Sequence, residues 1–285
     1  MADAGLISVI VTTYNREDAL AAALRALAGQ SDRRFEIIVA DDGSQTDTAR
    51  VIETWAARVP VPMKHVWHPH RGFRGSEIRN RGIQLSVGNL CVFLDGDCLA
   101  PAGFIAAHRR LAEPGCFVTG NRILLSAGLT EAVLANELAV EAWGVARLAR
   151  QSLGGGVNRV WPALDLPLGP LRKFPRRSWR GAQSCNLAVF REDLNRVDGF
   201  DASYAGWGLE DSDLVVRLLH AGLLRKDGRF ATGVLHLWHP QNDRSGLAAN
   251  ERRLRDVLSG NRVRALRGLS TLGDEVEAPL QYVMK

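Results

Sequence analysis

Paired cysteine spacing is missing from this chain. Its 285 residues hold only four cysteines, Cys91, Cys98, Cys116 and Cys185, none of them in a paired spacing. That excludes a zinc knuckle and a secreted disulfide framework, and predicts free thiols in a reducing compartment. No apolar run approaches the roughly 18 residues of a membrane span. The opening MADAGLISVIVTTYNRE has neither the basic start nor the small-residue cleavage site of a signal peptide. The expectation is a soluble, cytoplasmic protein. Charge of one sign is also scarce. Thirty-six basic residues against 31 acidic leave a net charge of +5, modest for a nucleic-acid binder, so nucleic acid is not an expected partner. Internal repeats and low-complexity tracts are absent as well. What remains is an ordinary globular composition, long enough for one large domain or two small ones.

The first third alternates apolar runs with helical patterns. LISVIVTT (6–13), FEIIVADD (35–42), PMKHVWH (62–68) and LCVFLD (90–95) read as strands. Between them, Asn15 and Asp18 are spaced as a capping box for a helix ending at Gly29. Ser44 and Asp47 are spaced to cap a second helix, and Gly88 closes a third. Such alternation implies crossover connections and a mainly parallel sheet with helices on both faces. Beyond Asp97 the pattern predicts a helix after Pro101, a strand over 116–125 and one amphipathic helix over 130–152. It then predicts a long loop over 154–180, a strand over 186–190, a helix over 210–222, a strand over 229–239 and a last helix in SGLAANERRLRDVLS.

Polar groups gather where the strands finish: Thr12, Thr13 and Tyr14 after the first, Asp41 and Asp42 after the second, Asp95 and Asp97 after the fourth. Open α/β sheets bind ligands at the carboxyl ends of their strands. Carboxylates converging there repel unless a cation intervenes. Oxygen ligands of this kind suit a hard divalent ion, Mg²⁺ or Mn²⁺. The competing reading makes DDGS and DGD simple turns, for which Asp-Gly is a strong signal. His236 and His239, in VLHLWHP, either complete a metal site or are ordinary hydrogen-bonded polar residues. Glu210 and Asp211 follow a glycine- and aromatic-rich turn. They either complement a helix dipole or provide a desolvated general base.

In this order, SVIVTTYNRE, VADDGS, RNRG, FLDGD and GFDASYAGWGLEDSDL resemble glycosyltransferase family 2 with a GT-A fold. The resemblance spans roughly residues 6–245, and GWGLED is similar to the acceptor-side motif of metal-dependent galactosyl- and N-acetylhexosaminyltransferases. It implies an α/β GT-A fold: a mainly parallel mixed sheet flanked by helices, in one domain over 1–285. Residues 1–100 would form the nucleotide-sugar half, 101–245 the acceptor and catalytic half, and 246–285 a helical tail. Thr12, Tyr14 and Arg16 would line the base pocket, Asp42 would bind the base (a uracil), and Arg79 would contact the donor. Asp95 and Asp97 would be the DxD pair, Asp95 on the ribose and Asp97 on Mn²⁺ or Mg²⁺. His236 would be the further metal ligand, with His239 as the alternative. Asp211 would be the catalytic base, and Trp207, Gly208 and Glu210 would meet the acceptor. The implied reaction is inverting transfer of a hexose or N-acetylhexosamine from a UDP-sugar to a glycan, lipid-linked or small-molecule hydroxyl.

Two other readings compete. A sugar-nucleotide pyrophosphorylase would carry a glycine-rich loop after the first strand, where this chain has the glycine-free TTYNRE. An inactive sugar-binding module would have lost one of the acids, all of which are present. The basic run LRKFPRRSWR (171–180) matches no motif. It reads as a solvated surface, a dock for an anionic acceptor, or a peripheral contact with acidic lipid at the inner face of a membrane.

Overall fold

A computed structural model describes residues 4–174, 177–241 and 243–272. The expected tail beyond 272, and Pro175 and Arg176 of the basic run, lie outside the described residues. The elements follow in chain order: β1 (Ile7–Thr13), α1 (Glu17–Ala28), β2 (Phe35–Asp41), α2 (Thr46–Ala56), β3 (Met63–Trp67), α3 (Gly75–Leu85), β4 (Leu90–Asp95) and β5 (Cys98–Leu99). The second half holds α4 (Phe104–Leu111), β6 (Cys116–Thr119), β7 (Arg122–Leu124), α5 (Ala127–Ala135), α6 (Val145–Leu153), β8 (Asn186–Phe190), α7 (Arg191–Val197), α8 (Glu210–His220), β9 (Leu224–Asp227), β10 (Val234–His236) and α9 (Leu247–Ser259).

The main sheet has the order β3-β2-β1-β4-β8-β6-β9. Its first four strands are parallel, and β8 enters antiparallel to both β4 and β6. Because side chains alternate along a strand, Val9 and Val11 pack with Leu20 and Leu24 of α1 and Ile52 of α2. Ile10 of the same strand packs on the opposite face with Ile78 of α3 and Leu214 of α8. Both faces are therefore covered, and β1, β2 and β4 read as near-continuous apolar runs for that reason. A small sheet, β5-β10-β7, sits beyond the end of β4. It is the element that carries His236 toward the DGD segment.

The expected parallel sheet flanked by helices is thus present, but several boundaries differ. The 130–152 helix is two: Glu137 takes a left-handed φ of 49°, Leu138 N–H bonds back to Val133, and Gly144 starts α6 afresh. The 116–125 strand splits at Gly120, where a Cβ would collide with Asn186, and its halves join different sheets. The 229–239 strand shrinks to β10, since Phe230 is left-handed. A strand not expected from the sequence, β9, precedes it at Leu224–Asp227. Neither expected cap forms. Arg16 and Gln45 occupy the N-cap positions, while Ser44 Oγ accepts from Asn15 N–H and Asn15 Oδ1 accepts from Gln45 N–H. Those bonds instead tie the end of β1 to the loop after β2. The third helix stops at Leu85, with Ser86 rather than Gly88 at its end.

Candidate active site

The ends of β1, β2 and β4 form one edge of the site because the parallel register aligns them: Thr13 lies opposite Asp41 and Thr12 opposite Asp95. Gly96 N–H then bonds to Thr12 carbonyl, turning the chain so that Asp97 leaves on the far side of Asp95. The hydroxyls of Thr12 and Thr13 are buried there with no hydrogen-bond partner among the described residues.

Arg79 organises the centre. It projects from α3 and is only 5% exposed. Its Nη2 donates to Asp95 Oδ1 (3.3 Å) and its Nη1 to Glu210 Oε1 (3.4 Å). The guanidinium lies over the Phe200 ring, 5.5 Å from the centroid. Burial works against its charge, but Asp95, Glu210 and Asp211 together outweigh it and raise its pKa. Glu210 is buried too, and Gly208 N–H donates to its second oxygen (3.1 Å). Burial, reinforced by Asp211, pushes Glu210 up to about 7. Asp211 is partly exposed, with Oδ2 accepting from Ser184 N–H (3.1 Å) and Oδ1 from Ser212 N–H (2.9 Å). Burial raises its pKa against those bonds. The two acids therefore differ in access: Glu210 is committed inside the protein, and Asp211 is partly exposed.

Asp97 stands between two imidazoles. Its Oδ1 is 3.6 Å from His236 Nε2 and its Oδ2 is 3.5 Å from His239 Nε2. His236 is buried and fixed by the β10 backbone, where Leu237 N–H bonds to the Asp97 carbonyl. His239 is more exposed, and its Nδ1 lies 2.7 Å from the Pro240 carbonyl, which turns Nε2 toward Asp97. Burial raises Asp97, with His236 opposing, and burial lowers His236, keeping that imidazole neutral. A neutral imidazole beside a desolvated carboxylate is a donor set that fits Mn²⁺. Arg16, at the start of α1, adds to the positive potential at Asp97.

A cleft of about 590 Å³ opens beside this centre, lined by Tyr14, Asp42, His70, Arg74, Tyr204 and Trp207 among others. Tyr14 stacks on His70 with centroids 4.7 Å apart and planes 16° from parallel. Asp42 is held by His68 Nε2 (2.6 Å) and by Arg74 N–H (2.8 Å). Gly43 lets this loop close: its φ is +89°, and a Cβ would meet the His70 backbone at 2.5 Å. Trp207 lines the opposite wall, and after it Gly208 has φ +109° and Leu209, a non-glycine, φ 74°. The Arg244 guanidinium lies 5.3 Å from the centroid of Trp207. The turn is clamped from behind by Asn250 of α9, whose Nδ2 donates to the Ala205 (3.2 Å) and Gly208 (3.0 Å) carbonyls.

The sequence-predicted residues thus fall into three neighbouring groups. Thr12, Asp95, Arg79, Glu210 and Asp211 meet at the centre; Asp97, His236 and His239 meet beside it; Tyr14, Asp42 and Trp207 line the cleft. Sequence reasoning missed His68, His70, Ser184 and Asn250. His68 and His70 follow β3, so the rule that found the aspartates at strand ends would have found them. Ser184 and Asn250 act through backbone groups and leave no sequence signal.

With this geometry in hand, the comparisons are decisive. Residues 8–155 match the family described as "Glycosyl transferase family 2". The chain belongs to glycosyltransferase family 2. Residues 172–237 also match the "N-terminal domain of galactosyltransferase". Validoxylamine A glucosyltransferase of Streptomyces hygroscopicus subsp. limoneus is 30% identical over 242 residues, covering 80% of this chain and 51% of that protein. This family 2 chain spans about half the length of the curated glucosyltransferases it matches. Among solved structures, a mannosyltransferase from Pyrobaculum calidifontis in complex with GDP-Man and Mn²⁺ superimposes with a TM-score of 0.57 at 19% identity, over 87% of this chain and 60% of that one. S. aureus TarS in complex with UDP gives 0.59 at 14%, over 89% and 65%. The fold is GT-A.

The Asn250 clamp makes a test of this family member's local architecture. Asn250→Ala strands the buried Gly208 carbonyl and the part-buried Ala205 carbonyl, which costs about 1–3 kcal/mol of stability. Urea unfolding should show it as a lower midpoint at unchanged slope. An unaltered midpoint would mean that α9 does not hold the GWG turn.

Proposed function

We propose that this chain transfers a hexosyl or N-acetylhexosaminyl group from a nucleotide sugar, UDP-linked, to an acceptor hydroxyl with inversion at the anomeric carbon. The observation that carries it is the gathering of Asp95, Glu210 and Asp211 around the buried Arg79, with Asp97 and its two imidazoles alongside, next to a cleft lined by Tyr14 and Trp207. Tyr14 and Asp42, with Thr12 and Arg16, would receive the nucleoside, and Trp207 and Gly208 the acceptor. Asp42, oriented by His68, presents a carboxylate to the imide N–H of a uracil. The glucosyltransferase relatives support a hexosyl group as the one transferred.

Asp97 and His236, with His239 as the alternative to His236, would hold Mn²⁺ or Mg²⁺. When bound, the ion supplies Lewis-acid neutralisation of the departing diphosphate. The protein's own part is acid–base and positional. Asp211, partly exposed and fixed by two backbone N–H groups, takes the acceptor hydroxyl proton as that oxygen attacks from the face opposite the diphosphate. Glu210 braces the acceptor turn through Gly208 N–H and holds Arg79 toward Asp95. No enzyme nucleophile is needed in a single displacement.

A donor panel read by nucleoside-diphosphate release tests base, sugar and metal together. UDP should be released from a UDP-hexose or UDP-N-acetylhexosamine, chelation with EDTA should stop it, and Mn²⁺ should restore it. Full activity in EDTA would remove the metal role from Asp97 and His236. Pyrophosphate from a nucleoside triphosphate would instead identify a nucleotidyltransferase.

The acceptor reading extends to the basic run. Among the described residues no helix is long and apolar enough to cross a membrane. Leu171 and Phe174 are 71% and 77% exposed and stand near Lys173, Arg177 and Arg180. Apolar tips among cations suit acidic lipid. Two residues of the run do not share this surface. Arg172 is buried, donating to the carbonyls of Leu166, Asp227, Arg229 and Phe230. Trp179 packs against the core, with the Arg180 guanidinium over its ring. Co-sedimentation with phosphatidylserine vesicles should fall for Leu171→Ser/Phe174→Ser and with added salt. Equal pelleting of variant and parent would leave the run as solvated surface.

A further inference from the structure

Cys98 has no role in the transfer proposed above, yet it is placed for one. β5 and β10 are antiparallel, and their register sets Cys98 directly opposite His236. Directly opposed residues project from the same face of a sheet. Asp97 precedes Cys98 and completes a triangle: one ligand atom each from Asp97, Cys98 and His236 lies within 4.8 Å of the other two. The Cys98 Sγ to Asp97 Oδ1 edge is 3.8 Å, and the Asp97 Oδ1 to His236 Nε2 edge is 3.6 Å. Tetrahedral zinc bond lengths predict edges of about 3.6 Å for sulfur–oxygen and about 3.4 Å for oxygen–nitrogen. Those two edges would need to shorten by only a few tenths of an ångström.

We infer that Asp97, Cys98 and His236 form a three-ligand site for a soft divalent ion, Zn²⁺ by preference, which competes with Mn²⁺ for Asp97 and His236. A thiolate favours zinc over manganese, and zinc also stands higher in the general affinity order for such ligands. Binding breaks the S–H bond, forms the S–metal bond and releases one proton to solvent. Asp97 held in this way is withdrawn from a donor diphosphate, so micromolar zinc would act as an inhibitor of the enzyme rather than as its activator. Cys185 lies behind Cys98, close enough for a thiol–thiol hydrogen bond, and is held by Arg122 Nη1 (3.7 Å). It stands outside the triangle and serves as an internal control. The inference rests on the reading of Asp97 and His236 as metal ligands.

The test uses the full chain, reduced with a non-chelating phosphine. Co²⁺, a spectroscopic stand-in for zinc, should produce a thiolate charge-transfer band that saturates at one equivalent and is displaced by Zn²⁺. Cys98→Ser should abolish the band and weaken Zn²⁺ binding, measured by competition with a chromophoric chelator, by at least about tenfold, since even partners one bond further from a metal are worth that much. Cys185→Ser should keep the band. Mn²⁺ affinity, read by electron paramagnetic resonance of the free ion, should be unchanged in Cys98→Ser and lost in Asp97→Asn. A band that survives Cys98→Ser, or a parent chain that binds Mn²⁺ but shows no thiolate band, overturns the inference while leaving the Mn²⁺ site standing. A parent chain that binds no divalent ion at all overturns both.

Discussion

Asp211→Asn should lower kcat by about 10²- to 10⁴-fold, the usual worth of a positioned general base, with donor affinity essentially unchanged. The substitution keeps the shape and an oxygen able to accept from Ser184 or Ser212 N–H, but removes the site that takes the acceptor proton. Donor affinity should survive because Asp211 contacts neither Tyr14 nor Asp42, the groups assigned to the nucleoside. Loss confined to kcat is the signature of an interaction made in the transition state. The pH profile gives a second reading. Burial holds the Asp211 carboxyl above the ordinary aspartate range. Activity should therefore fall as pH drops through that elevated pKa, where the base becomes protonated. Full turnover in the variant, measured by nucleoside-diphosphate release under saturating acceptor, would take the base role away from Asp211.

The largest stability effect should come from Arg217→Met. Arg217 and Asp213 are both completely buried within α8, with Nε to Oδ2 at 2.6 Å. Arg217 Nη1 also donates to the Val197 carbonyl at 2.7 Å, fastening the end of α7. Asp213 further accepts from Arg262 (3.2 Å) and Tyr204 (3.4 Å). Removing the arginine leaves a buried carboxylate short of its principal partner, a change that costs about 3–5 kcal/mol. The effect should appear as a marked drop in the urea midpoint. Replacing both members, Asp213→Leu with Arg217→Met, should recover much of the loss, because the desolvation cost of the charge disappears with it. A single variant within about 0.5 kcal/mol of the parent, the range of ordinary surface changes, would show that the pair is not what seats α8.

The parts of the site legible in the sequence are those set by the chain's own periodicity. Asp42, Asp95 and Thr12 stand at the ends of apolar strands, and a parallel sheet brings such ends together whatever else the fold does. GWGLED was legible because its glycines, Gly206 and Gly208, mark a positive-φ turn before a helix. The rest depended on contacts distant in sequence. β9, Leu224–Asp227, is polar and at the sheet edge, so it lacks the apolar alternation that marks a strand. The break between α5 and α6 falls in a stretch whose apolar spacing continues across it. His68 as the partner of Asp42, and Glu210 as an internal brace, could be assigned only once β3 and α8 had been placed against β2 and α3.

The small β5-β10-β7 sheet also has a consequence for how the molecule assembles in time. Strands β1 to β3 join neighbours through short crossovers and can collapse early, whereas Cys98 and His236 are separated by about 140 residues, and long loops close slowly. The Asp97–His236 centre is therefore expected to be among the last contacts made. A half-folded chain would already display the nucleoside end of the cleft before it could hold a divalent ion.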